Sequence, residues 1–132
     1  MGKKTKFNRD LNASINNRDF FGTIYVGMCK SPAYKRLSIG AKQFYTICRV
    51  QAQSPEGTAC LYNHGQEYGK NYNKEIYFVF PARHLKQYGY DRANANRYLN
   101  ILEKEGFIKK CECNKPIYKV NVYKFVDDWK SK

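Results

Sequence analysis

The stretch DRANANRYLNILEKEGFIKK, residues 91–110, permits very few local structures. Asp91 is a good N-cap residue type, and Ala95, Tyr98, Leu99 and Leu102 follow at helical spacing. Gly106 supplies a stop, and the FIKKCEC that follows reads as a strand. One side of this helix is apolar and has to be covered by the rest of the chain. The opposite side carries Arg92, Ala93, Asn96, Arg97, Asn100 and Lys104, with Asn94 flanking it near the N-terminal end. Asn is a mediocre helix former, so three of them in one helix lower its intrinsic stability. A face that only needed solvation would more often carry mixed Glu and Lys.

Around this helix the chain predicts a regular succession of elements. Residues 20–27, FFGTIYVG, have strand-like content. Ser38 is an N-cap for a helix that turns Ala41, Phe44, Tyr45, Cys48 and Ala52 inward and ends at SPEGT. Residues 54–74 read as a long loop, with Gly57, Gly65 and Gly69 and several Asn and Tyr. EIYFVF, residues 75–80, is a strand, and Pro81 opens a short helix that Gly89 closes. After the Asp91 helix, FIKKCEC and IYKVNVYKF form a hairpin around Asn114, Lys115 and Pro116. The order is that of an α+β winged helix-turn-helix: a three-helix core with a two-stranded β-wing. Residues 1–19, polar and basic, read as a flexible arm, and residues 20–132 as the domain itself.

Charge narrows the partner. In 132 residues, 24 Lys and Arg stand against 11 acids, a formal charge of +13. That excess favours a polyanion, either nucleic acid or an anionic membrane surface. No apolar run approaches the ~20 residues of a membrane span. The start MGKKTKFNRD has no apolar signal-peptide core, and Lys6 stands where myristoylation needs Ser or Thr. The expectation is a cytoplasmic protein with no membrane partner.

Double-stranded DNA then explains the polar helix face. Arg can bind guanine O6 and N7 bidentately, and Asn can do the same to adenine N6 and N7. The candidate base readers are Arg92, Asn94, Asn96, Arg97 and Asn100, with Lys104 further along for a phosphate. Lys109, Lys110 and Lys115 on the wing would touch flanking backbone or minor groove, and Arg97 and Lys110 are both expected to be exposed. Tyr68, Tyr72 and Phe78, interleaved with Lys70 and Lys74, could stack on single strands but read better as core and strand residues. A rival from another class is a basic adaptor that recruits a relaxase or replication protein.

Chemistry and metals find little support. His64 and His84 are isolated, no His-x-His pair or P-loop is present, and no Arg and His constellation of a recombinase can be assembled. Five scattered cysteines make no disulfide framework. Cys60 with His64 and Cys111 with Cys113 could supply four zinc ligands, but neither spacing is that of a usual finger. No enzyme, metal or cofactor is expected.

YKRLS at residues 34–38, AKQFY at residues 41–45 and KPIY at residues 115–118 form a recognisable set. With them goes a capped helix of the form x-A-x-x-x-L-x-x-L-E followed by G-[LF]-I, here Ala95, Leu99, Leu102, Glu103, Gly106, Phe107 and Ile108. Over residues 20–125 the chain resembles the N-terminal domain of RepA-type replication initiators of plasmids and integrative elements of low-GC Gram-positive bacteria. The resemblance implies a winged-helix domain binding repeated or inverted DNA sites, commonly as a dimer. Its wing turn is shorter than the family's Gly-containing one, and its short helix lacks the family's acidic opening. Because the sequence stops soon after Trp129, the expectation is a small stand-alone protein of a mobile element, serving a replication or transfer origin or regulating transcription.

Overall fold

The structure is a computed structural model that describes residues 24–62, 75–112 and 121–132. The arm at residues 1–19, the turn at Asn114, Lys115 and Pro116, and His64, Tyr68, Lys70, Tyr72, Lys74 and Cys113 lie outside the described residues.

Residues 24–27 are not a strand. Ile24 and Tyr25 have no regular structure, and a helical turn, α1, covers Val26–Cys29. A second short helix, α2, covers Pro32–Arg36. The Ser31 hydroxyl accepts the Tyr34 N–H at 3.2 Å, and Pro32 enters the first turn with φ already suited to a helix. Met28 and Ala33 then anchor both turns in the core.

Helix α3, Ile39–Gln53, begins as its sequence implies: the Ser38 hydroxyl accepts the Ala41 N–H at 3.1 Å. Ala41, Phe44, Tyr45 and Cys48 are fully buried along one side. Ser54 ends this helix and starts the next. Its N–H donates to the Val50 carbonyl at 2.9 Å, and its hydroxyl accepts the Gly57 N–H at 3.0 Å. Helix α4, Pro55–Tyr62, therefore occupies the first part of what the sequence suggested was a loop. Pro55 and Gly57 look like breakers, yet Pro at a first turn is tolerated and Gly57 meets a steric need. A Cβ on Gly57 would sit 1.9 Å from the Gln51 carbonyl oxygen.

Strand β1 covers Tyr77–Val79, and helix α5 covers Ala82–Gln87. The Pro81 carbonyl accepts the N–H groups of His84 and Leu85, both at 3.0 Å. Gly89 adopts φ 87° and reverses the chain, a conformation that costs other residues more. Helix α6, Arg92–Lys104, opens where the Asp91 carboxylate accepts the Asn94 N–H at 2.8 Å. It closes at Gly106, φ 89°. Ala95, Leu99 and Leu102 are buried, as the apolar spacing requires, and Tyr98 is partly so.

Strands β2, Ile108–Glu112, and β3, Val122–Phe125, follow. The expected two-stranded wing is part of a three-stranded antiparallel sheet in which β3 is central, ordered β1-β3-β2. Among the described residues the fold is thus α+β. One face of the sheet joins the main core through Phe78, Tyr123 and Ile108, packed with Phe44, Tyr45, Leu85, Leu99 and Leu102. On the other face, Val79 and Val122 pack under Leu61 of α4. Aromatic rings fill much of the main core: Phe44 stacks on Phe80 at 5.8 Å and on Tyr98 at 5.6 Å. Replacing Leu99 or Leu102 by Ala there would cost about 2–5 kcal/mol. A final 3₁₀ turn, Asp128–Ser131, lays Trp129 parallel to Phe107 at 6.3 Å.

Candidate nucleic-acid interface

The side chains of α6 divide into a buried side, a half-buried flank of Tyr98, Ile101 and Glu103, and an exposed outer row. Arg92, Asn96, Asn100 and Lys104 recur every four residues and are all exposed, with Ala93 and Arg97 beside them. At 1.5 Å per residue this row is about 20 Å long. The described ion pairs, Arg36–Glu105, Lys124–Glu75 and Lys130–Asp127, involve none of these residues. The row therefore presents cationic and amide groups with no carboxylate neutralising them among the described residues.

Not every member faces outward in the same way. Asn94 has its backbone N–H on Asp91 and its side-chain Nδ2 on the other Asp91 oxygen at 3.4 Å. Its Oδ1 accepts from Arg97 Nη2 at 3.2 Å. Each end of the Asn94 amide thus makes one contact within the protein, and its oxygen helps hold Arg97 in place. The Arg97 guanidinium also lies 5.3 Å from the Tyr98 ring. Arg92 turns back far enough to donate to the Phe80 carbonyl at 3.4 Å. Asn96, Asn100 and Lys104 make no side-chain hydrogen bond to described residues, which leaves their groups open to a ligand.

The sheet separates the two wing lysines. Register pairs Lys109 with Lys124 and Lys110 with Tyr123. Neighbours on a strand point to opposite faces. Lys109 therefore shares the face of Tyr77 and the Lys124–Glu75 ion pair, at 3.0 Å. Lys110 lies on the α6 side, and its backbone N–H donates to Glu103 Oε2 at 3.1 Å. It is half-buried, not exposed as expected from the sequence. Lys115 is outside the described residues.

Arg83, Lys86 and Gln87 on α5 are exposed and were not singled out from the sequence. The structure turns His84 and Leu85 inward, which leaves Arg83, Lys86 and Gln87 on the outer side of that short helix. Behind them, Gln51 Nε2 donates to the Val79 carbonyl at 3.0 Å and to His84 Nδ1 at 2.8 Å. Since a carbonyl can only accept, the amide nitrogen is fixed on this side, and His84 carries its proton on Nε2. Burial, reinforced by the Arg83 charge, pushes the His84 pKa below its ordinary value. On the far face the Tyr77 hydroxyl, which donates to Glu75, is pushed up to about 12.

Among the described residues, no group of three or more His, Cys, Asp or Glu is placed to hold a metal ion. No described helix is long and apolar enough to cross a membrane. Comparison with protein-family models, curated proteins and solved structures finds no match to this chain.

Proposed function

We propose that the protein binds double-stranded DNA sequence-specifically, with no chemistry of its own. In this reading the α+β fold is a winged helix-turn-helix, with α5 and α6 as the two helices and β2–β3 as the wing. The observation that carries the reading is the exposed Arg92–Asn96–Asn100–Lys104 row of α6, beside Arg97 and free of carboxylate partners among the described residues. A helix of this width enters the major groove, where Arg and Asn discriminate base edges. The element order and the β1-β3-β2 sheet are compatible with the winged-helix arrangement. Arg83 and Lys86 on α5 supply positive charge at the adjacent helix, where the first helix of such a motif crosses the phosphate backbone. The resemblance to RepA-type initiators extends the proposal: repeated or inverted sites bound by a dimer, at a replication or transfer origin or a promoter of a mobile element.

Selection of duplexes from a random library followed by footprinting tests the proposal. The expected result is a discrete protected site with repeated or inverted halves. Uniform protection at all sequences, or none, would contradict it, and co-purification with a relaxase or replication protein would then favour the adaptor.

A further inference from the structure

A second site lies away from α6. Arg49, near the end of α3, is 5% exposed and has no carboxylate partner among the described residues. Its guanidinium lies against three rings: Phe125 at 3.9 Å, and Tyr25 and Tyr45 each at 5.5 Å. Nε donates to the Tyr45 hydroxyl at 3.0 Å. Ring faces stabilise the cation, but they do not satisfy the in-plane N–H groups of the two Nη atoms. Those groups meet no acceptor among the described residues. A buried ion with unmade hydrogen bonds is costly, so the arrangement calls for an acceptor beyond the described residues.

The space for one is there. Arg49 forms part of the wall of a cleft of about 600 Å³, with Tyr25, Phe125 and Trp129 as its aromatic lining. That is the size of a small-molecule site. Glu75, Asp127 and Asp128 lie along the same cleft. Glu75 is paired with Lys124 and Asp127 with Lys130, whereas Asp128 has no ion pair among the described residues. A phosphate dianion would be opposed by this acidic lining. A planar group with a single charge matches the guanidinium fork and meets about half of that opposition.

We propose that this cleft binds a small organic monocarboxylate with an aromatic or apolar body. The carboxylate accepts both Nη groups of Arg49 in bidentate fashion, and the body lies against Tyr25, Phe125 and Trp129. The site is independent of DNA binding and stands or falls separately.

Trp129 is the single tryptophan of the chain and lines the cleft, so its fluorescence reports occupancy. The full chain is titrated with phenylacetate, 2-phenylethanol and phenyl phosphate. Phenylacetate is expected to give a saturable change at millimolar or lower concentration, at least about tenfold tighter than the other two. Arg49→Lys, which keeps the charge and loses the fork, is expected to weaken phenylacetate about tenfold while circular dichroism shows it folded. If that variant does not fold, the three-ligand series on the unaltered protein decides alone. Absence of saturation, equal affinity for acid and alcohol, or a folded Arg49→Lys variant that binds phenylacetate unchanged each overturns the proposal.

Discussion

The Glu103 carboxylate of α6 accepts the backbone N–H of Lys110 in β2 at 3.1 Å, tying the candidate reading helix to the edge of the sheet. This half-buried N–H faces away from the β3 partner, and Glu103 satisfies it. Removing the acceptor in Glu103→Ala should cost about 1–2 kcal/mol in urea or thermal unfolding. Glu103→Gln keeps an oxygen in place and should recover most of the loss. Equal destabilisation by the two changes would show that the contact contributes nothing specific.

Recognition and positioning should separate by mutation. Arg97→Ala removes an exposed candidate base contact and should cost about 1–3 kcal/mol on the cognate duplex, with much less effect on random DNA. Asn94→Ala frees Arg97 from its 3.2 Å hydrogen bond and should reduce the cognate preference in the same direction, by less. An unchanged cognate-to-random ratio in Arg97→Ala would remove α6 as the reading head.

The two neighbouring lysines of β2 should differ because the sheet turns them to opposite faces. Lys110→Ala should weaken cognate and random duplexes about equally and lower the salt slope by roughly one unit. Lys109→Ala, on the face of Tyr77 and Lys124, should change binding far less. Matched titrations of both variants, after melting curves confirm folding, would test this.

Affinity for the specific duplex should fall steeply with salt. For ~5–8 neutralised phosphates, the log–log slope should be near −0.9 for each. A flat response across a salt series would argue for a protein partner instead.

Acid should destabilise the fold through His84. Its folded pKa is depressed by burial, so the unfolded chain takes up a proton at higher pH than the native protein does. His84 therefore contributes its full stability above the ordinary histidine value of about 6.5, and loses it as pH falls from there toward the lower folded value. Burial and the Arg83 charge disfavour the imidazolium, and a proton on Nδ1 would in addition face the Gln51 amide donor at 2.8 Å. His84→Gln should flatten the pH dependence of unfolding below about 6.5, though at some cost in stability near neutrality.

Much of α6 was legible in the sequence because its determinants are local. Asp91 accepts from Asn94 three residues on, Gly106 adopts its positive φ next to the helix end, and Ala95, Leu99 and Leu102 recur at helical spacing. The Ser38 cap and the inward side of α3 are local in the same sense. By contrast, α4 has a local cap in Ser54 but a helix face that is covered only where Leu61 packs on Val79 and Val122, residues far away in the chain. The inward turn of His84 depends on Gln51, 33 positions earlier. The opposite faces of Lys109 and Lys110 depend on pairing with β3, and the aromatic surroundings of Arg49 on the approach of Phe125 and Tyr25. Caps and periodicity act within a turn or two of chain and are written in sequence order. Partners brought together by the sheet and the core are decided only when the whole chain has packed.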